Sequence, residues 1–227
     1  MRKTALGDSY LEVDSLAVRR GNALIFADLS FVLKTGDSLI FSGRNGAGKS
    51  TALRALAGLL PLEGGKVSFV ASDERDDLPL GAYSHFLGHH NAMKREMTVR
   101  ENLGFWSAFM GNSSGGPPCS IDQAADAVGL SDTMDIPYGY LSAGQKRRIA
   151  FARLLVAYRP VWLLDEPTSS LDSASKALIA DLANRHLSSG GMVIAATHEP
   201  LAFGESRELR FSGPVDLASD PFLPEAD

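Results

Sequence analysis

At 227 residues, 44% hydrophobic and 22% charged, the chain has the balance of one large globular domain or a core with a subdomain. One cysteine, Cys119, excludes an intrachain disulfide and points to a reducing compartment; it is read as a loop thiol beside Pro117 and Pro118. A net charge of -5 argues against a dedicated nucleic-acid binder, no apolar stretch behind Arg2 and Lys3 makes a signal peptide, and no run approaches the ~20 apolar residues of a membrane span. We therefore expect a soluble chain that reaches any membrane through another protein.

Alternating apolar and polar residues in YLEVDSLAV and LIFADLSFVL predict two strands, and GDSLIFSG a short buried one. GRNGAGKSTALRALAGLL reads as a glycine-rich turn entering a helix, with Leu53, Leu56 and Ala57 on one face. GGKVSFV and HFLG are further short strands, joined by the polar connection ASDERDDLPLG. TVRENLGFWSAFM opens a helix with a capping box, Thr98 and Glu101. Residues 111–118, GNSSGGPP, are the clearest linker, and SIDQAADAVGL restarts a helix with a second box, Ser120 and Gln123. A longer helix covers residues 143–156. VWLLD and GGMVIAAT are buried strands of the parallel-sheet kind, residues 174–187 are helical, ELRF is an edge strand, and a loose tail closes the chain. Strands alternating with helices predict an α/β sheet. We read one domain over residues 1–227, with a helical subdomain at about 91–160, a tail at about 213–227 and no internal repeat.

Residues 43–50, GRNGAGKS, fit G-x-x-x-x-G-K-[ST]. Glycines let backbone N–H groups curl around phosphate oxygens, and the following helix aims its dipole at them. Gly43, Arg44, Asn45, Gly46, Ala47, Gly48 and Thr51 are thus candidate nucleotide contacts. Lys49 supplies a point charge to the β and γ phosphates, and Ser50 a ligand for Mg²⁺. A plain glycine-rich turn would not require the strand before it and the helix after it.

VWLLDEP ends a buried strand on two acids. A carboxylate there needs a positive partner, and Asp165 fits Mg²⁺. Glu166 then points toward the γ-phosphate and orients the attacking water. His198 follows the strand MVIAA at the edge where ligands bind in open α/β sheets. Asp172, after SSL, suits the N-cap of the next helix. In LSAGQKRR, Ser142 and Gln145 have capping-box spacing, yet Gly144 and the cations Lys146, Arg147 and Arg148 crowd a helix end that disfavours positive charge. An incoming anion accounts for both, and since the chain already has one phosphate cradle, that anion is expected on nucleotide held by a second copy.

GRNGAGKST, LSAGQ, LLDEP, SSLD and TH stand in this order at spacings that resemble those of ATP-binding cassette ATPases, over about residues 10–212. The resemblance implies a P-loop NTPase fold: a RecA-like core, a small antiparallel β subdomain and a helical subdomain. It implies ATP and Mg²⁺ as cofactors and a head-to-tail homodimer. By position, Lys49 and Ser50 hold phosphate and Mg²⁺, Asp165 binds Mg²⁺, and Glu166 resembles the catalytic base. His198 resembles the switch histidine, Asp172 the D-loop acid, and Ser142 with Gly144 the contact to the partner's γ-phosphate. His90 falls where the family has its Q-loop glutamine and Arg20 where it stacks an aromatic on adenine; both depart from the pattern. A histidine at 90 makes hydrolysis acid-sensitive if it takes the glutamine's place, and a guanidinium at 20 can stack on a base.

LGHHNAMKREMTVRENLGFW, LSAGQKRRIAFARL and GGMVIAATHEPL are similar, within that family, to the ATPase subunits of bacterial cytochrome c maturation exporters. This implies a partner of the haem-exporter permease type, peripheral attachment at the cytoplasmic face of the inner membrane, and haem delivery for c-type cytochromes. The sequence itself carries no haem ligand set. Two other readings stand beside it: an ATPase for lipid, peptide or drug export, and a soluble cassette switch acting on ribosomes or DNA.

Overall fold

The computed structural model of the protein describes residues 9–21, 23–71, 74–75, 78–111, 119–169 and 171–213. The expected linker beyond Gly111 and the tail beyond Gly213 lie outside them.

Two sheets organise the chain. The first is antiparallel and runs β2 (Ala23–Lys34), β1 (Tyr10–Arg20), β4 (Gly64–Ala71), β5 (Glu74–Arg75). Leu11, Val13, Leu16 and Val18 of β1 are buried. The two-residue alternation slips between Val13 and Leu16, where the pairing with β2 shifts and Ser15 takes a positive φ, as in a bulge. β5 falls in a stretch read from sequence as a polar connection; only two residues of it pair with β4.

The second sheet is parallel, in the order β6 (Ser84–Leu87), β7 (Val161–Asp165), β8 (Met192–Ala196), β3 (Ser38–Gly43), β9 (Ser206–Phe211). β7 and β8 are buried at every residue, because both faces of a parallel sheet are covered. Their side chains alternate between two cores. Trp162, Leu164, Val193 and Ala195 face one core, which includes residues of α2 (Val99–Met110), α3 (Ile121–Ala127), α4 (Ala143–Leu155) and α5 (Ser173–Ser188). Val161, Leu163, Met192, Ile194 and Phe41 face the other, with α1 (Lys49–Leu56) and the antiparallel sheet.

The helical stretch between β6 and β7 begins with two capping boxes. Thr98 and Ser120 each accept from the backbone N–H three residues on, and Glu101 and Gln123 reach back to the cap N–H groups. Cys119 lies in a loop, half-buried against this packing, and burial pushes its thiol above the usual range. The fold is thus the α/β core, antiparallel β subdomain and helical subdomain expected from the motifs. ELRF is indeed an edge strand, paired parallel to β3.

Candidate functional site: a phosphate cradle on three strand ends

β8 sits between β7 and β3, and all three run parallel. Their C-terminal ends therefore deliver residues 43–48, 165–166 and 197–198 to one edge of the sheet, where open α/β sheets place ligands. A cleft of about 440 Å³ lies there, lined by Arg20, residues 45–51, Glu166 and His198 among others.

The loop after β3 has no side-chain cap at the start of α1; Gly48 occupies the N-cap with φ 103°. The first N–H groups of α1 are therefore left for a ligand. A Cβ on Gly48 would lie 2.8 Å from Ile25 Cγ2, and one on Gly43, φ 132°, would lie 2.4 Å from Phe211 O. Glycine is the residue that fits both positions. Lys49 is buried, and its ammonium donates to Gly43 O at 2.7 Å and Arg44 O at 3.1 Å, which braces the loop from within. Ala47 is buried, whereas Arg44, Asn45 and Gly46 are exposed. Arg44 is outside the cleft lining, while Arg20, exposed at the end of β1, stands at its rim.

Asp165 is fully buried; its Oδ1 accepts from the Ser50 hydroxyl at 2.7 Å and its Oδ2 has no partner among the described residues. A buried carboxylate oxygen left open beside a hydroxyl fits a hard cation. Mg²⁺ is commonly held in this way, through one or two carboxylates together with substrate phosphates.

Glu166 takes φ 47°, left-handed for a non-glycine residue, with its N–H donating to Ala196 O at 2.8 Å. One oxygen of its largely buried carboxylate lies 3.0 Å from Nδ1 of the half-exposed His198. Strained backbone of this kind persists where its surroundings hold it. Asp172 caps α5: its Oδ1 accepts from Ser175 N–H at 2.7 Å, and that bond holds its carboxyl below the usual range.

At the head of α4, Ser142 Oγ accepts from Gln145 N–H at 3.2 Å and Gln145 Oε1 accepts from Ser142 N–H at 2.9 Å, the expected box. The three cations require no anion, contrary to the expectation from sequence. Lys146 donates to Gly139 O and lies over the Tyr138 ring. Arg148 donates to Val128 O and Gly129 O. Arg147 is buried and donates to the main-chain oxygens of Gly88, Asp165, Glu166 and Pro167 and to Asn91 Oδ1. The cations fold back onto carbonyls elsewhere in the chain and leave the helix end to Ser142, Ala143 and Gly144.

A profile of the ABC transporter family matches residues 26–169. The chain belongs to the ABC transporter family. It is 53% identical to the "Cytochrome c biogenesis ATP-binding export protein CcmA" of Rhizobium johnstonii over 90% of this chain and 95% of that protein. It is 53% identical to the protein of the same name from Rhizobium meliloti over 89% and 98%. Among solved structures, a bacterial Atm1-family ABC exporter with ATP bound superposes with a TM-score of 0.72, at 23% identity, over 91% of this chain and 38% of that one; this likeness is one of fold.

Against the family pattern, the structure gathers Gly46, Gly48, Lys49, Ser50, Thr51, Glu166, His198 and Arg20 around one cleft. Ser142, Gly144 and Gln145 do not line it. His90 departs from its expected place. It lines a separate groove with Phe86, Trp106 and Arg153, while His89 lines the nucleotide cleft. Both histidines lie in the bend that follows β6. Ile25 and Ser169 also line the cleft unforeseen. Ile25 belongs to β2, and its approach to Gly48 depends on how the two sheets pack, which local sequence does not express.

Proposed function

We propose that this chain hydrolyses ATP to drive export in cytochrome c biogenesis, with haem delivery for c-type cytochromes as the process served. The observation that carries this reading is 53% identity across 95% of a relative named as an ATP-binding export protein of cytochrome c biogenesis. ATP enters with its phosphates on the loop at residues 43–48 and the head of α1. Ser50 and Asp165 would hold Mg²⁺, which when bound neutralises charge on the transferring phosphoryl group. Lys49 stands in the loop to do the same from the protein side. Glu166 orients the attacking water, and His198, in contact with its carboxylate, holds that carboxylate in place.

The head of α4 completes the site in a second copy. The Ser142 hydroxyl, the backbone N–H groups of Ala143 and Gly144 and the positive helix end face the γ-phosphate held by the partner subunit. Closure of the homodimer then depends on ATP, and hydrolysis releases it. No helix among the described residues is long and apolar enough to cross a membrane, so permease subunits convert that motion into transport at the cytoplasmic face of the inner membrane. Arg20 stands at the cleft rim, and in this reading its guanidinium stacks on the base.

The test is made in the source cells. With Glu166→Gln in place of the parent gene, membrane proteins are stained for covalently bound haem. Loss of holo c-type cytochromes while apo-protein is still made supports the reading; normal holo-cytochrome levels place the ATPase with another transporter.

A further inference from the structure

Arg147 is the most fully used side chain near the site. Its guanidinium has five N–H donors. Nε donates to Pro167 O at 3.1 Å; Nη1 to Gly88 O at 2.7 Å and Asn91 Oδ1 at 3.2 Å; Nη2 to Asp165 O at 3.1 Å and Glu166 O at 3.0 Å. All five acceptors are uncharged oxygens. Burying a cation with no charge of opposite sign in contact is costly, and burial pulls the Arg147 pKa down to about 10. A side chain chosen for packing alone would be neutral. What a neutral group cannot supply is a planar fork that reaches three consecutive carbonyls at the end of β7 and a fourth at the end of β6.

The place of this fork bears on chemistry. Glu166 holds its left-handed backbone by bonds of opposite sense: its N–H goes to Ala196 O in β8, and its C=O takes the Arg147 bond at 3.0 Å together with a longer one from Ser169 N–H at 3.4 Å. Gly88, the second anchor, precedes His89 directly. Glu166 and His89 line both the nucleotide cleft and a smaller cleft of about 260 Å³ that opens beside Ala143 at the head of α4. Arg147 lies one turn along α4 from that head.

We infer that Arg147 is a positioning residue for hydrolysis: it ties the head of α4 to the main chain at Glu166 and Gly88, so that Glu166 and His89 take their places together with α4. This rests on the reading of Glu166 as the group that orients water. A contact made at the head of α4 then reaches Glu166 through one rigid side chain rather than through the packing of two subdomains.

The experiment compares Arg147→Lys, Asn91→Ala and Glu166→Gln in the full-length protein, measuring kcat, ATP affinity by equilibrium binding, thermal unfolding, and amide exchange at residues 89–91 and 168–171. Lysine keeps the charge but carries its donors on one nitrogen and cannot span the carbonyls. Arg147→Lys is expected to lower kcat by about tenfold or more while ATP affinity stays within about twofold, since small displacements of a reacting group cost that much. Exchange in the two segments rises. Unchanged kcat overturns the inference, as does a fall in kcat matched by equal falls in affinity and melting temperature, which marks a purely structural role. Should Arg147→Lys not fold, Asn91→Ala decides: it removes one acceptor, and kcat falls with affinity kept, or the inference fails. Glu166→Gln separates the two levels. If it hydrolyses ATP like the parent, the reading of Glu166 fails and the inference with it. If it is inactive while Arg147→Lys is fully active, only the positioning role fails.

Discussion

The Ser50 hydroxyl and the Asp165 carboxylate, 115 residues apart in sequence, meet at 2.7 Å, and the second carboxylate oxygen is buried without a partner among the described residues. One joins the head of α1, the other ends β7, and the pair lies where two parallel strands bring their C-terminal ends to one edge.

This pair makes a metal-dependent prediction. Saturating ATP with Mg²⁺ stabilises a protein that binds it, by about 2.7 kcal/mol at a hundred times Kd. In Asp165→Asn the added stabilisation by Mg²⁺ is expected to vanish, so that ATP with Mg²⁺ and ATP with chelator give the same melting temperature. Hydrolysis falls by on the order of a hundredfold, because the charge stabilisation a bound metal supplies amounts to several kcal/mol. Thermal unfolding in the four conditions checks this; a full Mg²⁺-dependent shift in the variant would count against Asp165 as the ligand.

Gly46 and Gly48 offer an internal comparison. Both take positive φ, 79° and 103°, which costs a non-glycine residue roughly 1–2 kcal/mol. A Cβ at 46 meets nothing within 4 Å, whereas one at 48 meets Ile25 Cγ2 at 2.8 Å. Gly46→Ala should therefore lose about 1 kcal/mol of stability, and Gly48→Ala distinctly more, with the loop displaced from α1 and ATP binding weakened further. Denaturant unfolding of both variants is the check, and equal losses would show that Ile25 yields without cost.

Two buried histidines set the acid limit of the fold. Burial holds the His85 pKa down at about 3, against a hydrogen bond to Ala157 O and with Arg153, Arg159 and His186 adding to the depression. Burial also lowers His186 to about 4, where it stacks on Trp162 and bonds Pro160 O. In the unfolded chain both titrate near 6.5. Below that pH the unfolded state binds protons the folded state refuses, so stability falls as pH falls toward 4, by up to about 1.4 kcal/mol per pH unit for each histidine. His186→Asn removes one of the two, and the stability-against-pH slope between pH 4 and 6 should flatten. An unchanged slope would falsify this account. The lower total stability of the variant at neutral pH does not bear on it.

Much of this was legible because it is local. The boxes at Thr98, Ser120 and Ser142 each involve residues three apart, and all three form as the spacing predicts. The glycine loop is legible because strand, loop and helix are contiguous. Asp165 and Glu166 were legible because a charge at the end of a fully apolar strand demands a partner. What remained hidden is non-local. The order β6-β7-β8-β3-β9 is not the chain order, and nothing in the strands' composition declares it. The partners of Arg147 lie 18 to 59 residues away, so its cation looked surplus until the carbonyls it binds were placed.

The two adjacent histidines after β6 carry the same lesson and a last prediction. Sequence spacing puts His90 at the position of the family's Q-loop glutamine. The structure puts His89 in the nucleotide cleft and His90 in the groove beside Trp106 and Arg153. If the cleft decides, His89→Ala lowers ATP hydrolysis several-fold or more, within the range of about 10²–10⁴ that a positioned polar group contributes at most. His90→Ala then leaves hydrolysis by the isolated ATPase within about twofold, as surface changes away from a site commonly do. Steady-state ATPase assays on the two variants at saturating ATP distinguish the cases. The reverse pattern, with His90→Ala inactive and His89→Ala active, would mean that the segment after β6 shifts register when nucleotide binds, and that alignment to the family outranks the geometry of the chain alone.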